Sequence, residues 1–242
     1  MNEYNDLKIY GDGVVCKGTY NNIKIAGSGR IMDDISAKLL KISGSCKSEK
    51  SIEANEIKIN GSFISDGEVN SSDLFSINGS ARVLKGNFKN NTIVRGELSI
   101  KEDSSFENIE VMGELRVNGS FEGTSFYGWG AINIDNLLSA DNVEIITYRN
   151  CNIKEIGGEK ISIRNNDSKR ILTRIFTPYG RGDVMCDCIE GDTIFLENTI
   201  CKVVRGENIT IGKGCKIDRV EYSNELTVDD KSIVREKICM KN

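Results

Sequence analysis

Histidine is absent from this chain of 242 residues, and proline occurs once, as Pro178. Without histidine, Ser-His-Asp and Cys-His catalysis are excluded, as are most zinc enzymes and the histidine base of hexapeptide-repeat acyltransferases. The six-residue period of those acyltransferases is missing too. No run of 18 apolar residues occurs, so no segment reads as a membrane-spanning helix. The opening stretch MNEYNDLKIYGDG has no apolar core and does not read as a secretory signal. Eight cysteines are present with no C-x-x-C pair. They read as reduced thiols of a cytoplasmic chain, most of them small core residues. GDGVVCKG, from Gly11, lacks the Gly-Lys-Ser/Thr ending of a phosphate-cradling loop. Charge of neither sign dominates: 32 Lys and Arg face 36 Asp and Glu, so nothing points to a nucleic-acid partner. No cofactor is implied.

Glycine, by contrast, is plentiful at 24 residues, and it recurs inside a repeated phrase. IKINGSF at Ile57 has counterparts in LKIYGDG (Leu7), IKIAGSG (Ile23), LKISGSC (Leu40), FSINGSA (Phe75) and LRVNGSF (Leu115). The first five of these begin at 7, 23, 40, 57 and 75, a spacing of 16 to 18. Apolar–polar alternation over a few residues makes a short strand with one face to bury. Such a strand buries that face by stacking on its own repeats about 4.8 Å away, which gives a β-solenoid. Asn-Gly also signals hairpins, but hairpin strands recur every 8 to 12 residues, not every 17. The expected fold is therefore all-β, a single-stranded β-helix of roughly 17-residue coils, about a dozen in all. Each Gly fits a corner that needs positive φ or a close neighbouring backbone. Asn60 and Asn78, one coil apart, are placed to share an amide hydrogen bond. The Asn-Gly-Ser triplets at Asn60, Asn78 and Asn118 read as corners, not glycosylation sites.

The spacing predicts three parts: coils over 1–166, a basic amphipathic insert at 167–182, and coils over 183–242. Between Phe75 and Leu98 the gap widens to 23, which suggests a small loop around Lys85 to Asn91. Val143 follows Ile132 by only 11, so residues 136–142 either delete one side of a coil or restart the register. Ile161 to Ile194 is 33, the length of two coils. In the insert, Ile171, Leu172, Ile175 and Phe176 fall on one helical face, with Lys169, Arg170 and Arg174 largely opposite. This segment docks on its own solenoid or makes a membrane or partner contact. FYGWGAINI, from Phe126, gathers aromatics around Trp129, as a packed corner or as a contact patch. Cys186-x-Cys188 would put two thiols on one strand face, packed inward or, with Cys201 and Cys215, as a metal site. The doublets Asp33–Asp34 and Asp229–Asp230 alternate faces and make no acid–base pair. No enzyme is expected.

Coils near 17 carrying apolar-x-apolar-x-Gly-Ser, together with the run GDTIFLENTICKVVRGENITIGKGCKIDRVEY from Gly191 to Tyr222, resemble the bactofilins. The resemblance covers roughly 7–166 and 183–238. It implies a right-handed β-helix that associates end to end without nucleotide and scaffolds cell-envelope machinery. Its partners would be itself, other bactofilin-like subunits or cell-envelope proteins, with no nucleic acid. A peripheral membrane contact, or a monomeric module docking a partner, is the alternative. Where solenoid ends lack caps, unpaired backbone and apolar core are exposed. The expected self-association residues are Leu7, Ile9 and Val14 in the first coil, and Leu226, Val228, Ile233 and Ile238 in the last.

Overall fold

A computed structural model describes residues 4–165 and 182–240. The insert residues Lys169, Arg170, Ile171, Leu172, Arg174, Ile175 and Phe176 lie outside the described residues. Every regular element among those described is a β-strand, nineteen in all. The chain divides into two compact units, Met1–Phe121 and Glu122–Asn242.

In the first unit two rows of parallel strands run side by side. One row comprises β1 (Asn5–Ile9), β3 (Gly18–Ile25), β5 (Ile35–Ile42) and β7 (Ile52–Ile59). The other comprises β2 (Asp12–Val15), β4 (Ser28–Ile31) and β6 (Ser45–Ser48). β8 (Ser62–Ile77) and β9 (Ser80–Val94) then run through both rows, followed by β10 (Glu97–Ile100), β11 (Ser104–Val111) and β12 (Glu114–Val117). Leu7, Ile23, Leu40, Ile57 and Phe75 stack in register, as do Ile9, Ile25, Ile42, Ile59 and Ile77. Away from the first coil these residues are essentially inaccessible to water. Burying each such side chain is worth about 1.5–3 kcal/mol. Aromatic rings fill the wider coils: Phe75 meets Phe88 at 4.7 Å between centroids, and Phe106 meets Phe121 at 4.4 Å.

The glycine corner is a continuous column: Gly11, Gly27, Gly44, Gly61, Gly79, Gly96 and Gly113. None of them has positive φ; among the described glycines only Gly214 does. Close approach is what requires them. A Cβ on Gly61 would lie 2.0 Å from the Gly44 carbonyl oxygen, and one on Gly96 would lie 1.9 Å from that of Gly79. Beside the column, Asn78 Nδ2 donates to Asn60 Oδ1 at 2.9 Å, the amide pairing that the repeat predicts.

The widened gap between Phe75 and Leu98 needs correction. The Phe75 ladder continues at Thr92, 17 residues on. Leu98 and Leu115 belong instead to the Phe63–Ala81 ladder on the neighbouring side. Residues 85–91 lie within β9 and form no loop; Asn90, at φ 55°, is a bulge whose N–H donates to Glu107. A polar Thr in a core position hid the repeat.

The second unit holds β13 (Phe121–Gly128, entering from the first), β14 (Ala131–Thr147), β15 (Cys151–Asn165), β16 (Val184–Leu196), β17 (Thr199–Ile211), β18 (Lys216–Val228) and β19 (Ile233–Cys239). From β14 onward each strand pairs in parallel with the next. Ile132 and Val143 lie on different sides of the same coil within β14, so no side is deleted and no register restarts. Ile161 pairs directly with Ile194. Their separation is therefore one coil plus the insert, not two coils.

Candidate functional site

β1 and β2 pair on one edge only among the described residues, with β3 and β4. Leu7 is consequently half-buried and Ile9 is 7% exposed, whereas Ile23 and Ile25 one coil inward are 0% and 1% exposed. The first coil also tapers. Gly13 and Gly29 occupy an inward column that Cys46 and Phe63 fill further on. The Ile9 and Ile25 side chains take up that space: a Cβ on Gly29 would lie 2.7 Å from Ile25 Cδ1. Val14 does not belong to this apolar section. It is 55% exposed and stacks on the outward Arg30, while Val15, at 0%, holds the core position.

At the other end Leu226 and Val228 head the ladders of Ile209 and Ile211, and both are half-buried. Ile233 and Ile238 point the other way. Ile233 stacks on the exposed Lys216 and is itself 59% exposed; Ile238 stacks on Glu221. The inward positions of β19 are Val234, over Ile217, and Lys237, over Val220. The turn at 229–232, closed by Ser232 N–H donating to the Asp229 carbonyl at 3.1 Å, starts a new side and resets the alternation. An ammonium thus heads the ladder of Ile156, Ile189, Val204 and Val220.

Cys186 and Cys188 do not share a face. The chain turns a corner at Asp187, so Cys186 is buried and Cys188 is half-exposed on the outer wall. Cys186 stacks on Cys201, which makes its thiol harder to ionise, as does burial. Cys215 lies elsewhere and donates to the Leu196 carbonyl at 3.3 Å. No group of metal-binding side chains occurs among the described residues. The carboxylate doublets secure turns. Asp33 accepts from Lys17 N–H at 3.3 Å and Asp34 from Ser51 N–H at 3.0 Å, each tying one coil to a neighbour. Asp229 accepts from Lys231 N–H at 2.9 Å, a bond that lowers its pKa. Of the aromatic cluster, Phe126 is buried and Trp129 is 45% exposed.

Two outer ladders were missed from sequence. Lys8, Lys24, Lys41 and Lys58 stack on four successive coils of the first unit. Their signal is the central lysine of LKI, IKI, LKI and IKI, the outward position between two apolar flanks. In the second unit Asp141, Glu159, Asp192 and Glu207 occupy one outer column, each directly after an Ala or Gly of the neighbouring column. Unit charges about 4.8 Å apart repel by about 1 kcal/mol even in water.

The chain is similar over 102 residues to the uncharacterized protein YhbF of Bacillus subtilis (strain 168), at 33% identity, covering 42% of this chain and 40% of YhbF. It is similar over 102 residues to the uncharacterized protein YhbE of the same organism, at 34% identity, covering 42% of each chain. The matched stretch thus spans about two fifths of these relatives' length. No protein-family model and no solved structure matches the chain.

Proposed function

We propose that this is a non-enzymatic structural protein, a β-solenoid that self-associates end to end with the first coil as its principal contact. The observation that carries this reading is the open edge of β1 and β2, where no strand among the described residues covers inward Leu7 as one covers its ladder partners. Backbone groups of an unpaired strand edge and an open apolar section favour stacking on a like surface. The repeat resemblance to bactofilins supports the same role. The β19 end is mixed: Leu226, Val228 and Val234 are apolar, but stacking there would also bury the Lys237 ammonium, which is costly without a partner.

Sedimentation equilibrium in high salt tests the proposal. Leu7→Lys removes about 1.5–3 kcal/mol of burial and places a charge in the junction, so association weakens by about tenfold or more. Ile233→Lys, on the outer wall, leaves it unchanged. If Leu7→Lys associates as the parent does, or if the parent is monomeric throughout, the first coil is not a self-association surface.

A further inference from the structure

Solenoids convert a recurring outward residue into a straight row, and the two units use such rows differently. Along one corner of the second unit the sign alternates, from Lys154 through Asp187, Lys202 and Asp218 to Arg235. That row neutralises itself: Lys202 lies 2.7 Å from Asp187, and Arg235 lies 3.0 Å from Asp218. The lysine row of the first unit does not. Lys58 pairs with Glu56, but among the described residues Lys8, Lys24 and Lys41 have no carboxylate within 4.0 Å. The acidic row is equally unanswered. Asp141, Glu159, Asp192 and Glu207 are exposed and make no ion pair among the described residues. Asp141, Glu159 and Asp192 stand along an open groove of about 510 Å³ floored by Gly157, Gly158 and Gly191, where the missing side chains leave the row accessible.

The two rows match. Each carries four like charges on four successive coils, and both repeats are set by the same backbone hydrogen-bond spacing, about 4.8 Å. A row of one sign is best answered by a row of the other sign at equal pitch, because the backbone already spaces the charges to match. We infer that a second copy of this chain docks side by side, the lysine row of one against the acidic row of the other. The contact is heterologous, joining different surfaces of the two copies. It is independent of the end-to-end contact proposed above, being electrostatic where that one is apolar.

Salt separates the two contacts. Sedimentation velocity of a Leu7→Lys background, which disables the first coil, is run from about 0.01 M to about 1 M NaCl, over which the screening length falls from about 30 Å to about 3 Å. Association at low salt that disappears at high salt is expected. Lys24→Glu/Lys41→Glu and Glu159→Lys/Asp192→Lys each weaken it by about tenfold or more, since several exposed pairs turn repulsive together. Mixing the two charge-reversed variants restores association, which a misfolded variant could not do. Failure of the mixture to associate better than either variant alone overturns the inference. So does retention of parental association by either variant. Binding of inorganic polyphosphate by the parent but not by Lys24→Glu/Lys41→Glu, with no rescue on mixing, would reassign the lysine row to a polyanion.

Discussion

Cys46 lies in an inward column between Gly29 and Phe63, 4% exposed, and burial pushes its thiol up to about 12 from an ordinary 9.0. Burial likewise raises Cys151 and Cys215 to about 11. A raised folded value keeps the proton on in the native state while the unfolded chain releases it. The stabilisation is therefore whole below pH 9.0 and is lost as pH climbs toward 11 and 12. At about pH 10 the loss is about 1.4 kcal/mol per buried thiol. Thermal unfolding from neutral pH to about pH 10 should show a smaller fall in Tm for Cys46→Val than for the parent. Equal falls would show that Cys46 does not ionise on unfolding in this range. Cys46, Cys151 and Cys215 thus act as compact core residues.

At the scale of the strand and its corner, the glycine column couples neighbouring coils through backbone contact. Gly61→Ala places a methyl 2.0 Å from the Gly44 carbonyl oxygen, and no flexible side chain can yield there. The coils must separate, at a cost of about 3 kcal/mol. Asn60→Ala, one residue away, loses a single exposed amide bond and costs about 1 kcal/mol or less. Urea titration of the two variants distinguishes them, and equal midpoints would contradict the account of the corner. The corner and the short strands were legible because Gly and Ile recur in one phrase. The continuation past β8 was less legible: Ile77 passes to Val94 and Phe75 to Thr92, and the latter breaks the apolar pattern. Parity at the ends was hidden as well. Val14 beside Val15, and Ile233 beside Val234, offer two apolar residues where only one can face inward, and sequence does not say which. The charge rows were visible as letters but acquire meaning only once register stacks them.

For the whole molecule, the proposed self-association has two separate routes, the edge of β1 and β2 that no described strand covers and the two rows of like charge. A single apolar end would join copies in pairs, and a side-by-side contact would extend such pairs into a scaffold. The central claim is that the strand ladders of one copy continue into another across β1 and β2. Cryo-electron microscopy at high protein concentration tests it directly. The account predicts junctions at the first coil, with the strand spacing of about 4.8 Å maintained across them. Particles that meet nowhere at the first coil, or remain separate at every concentration, would contradict it.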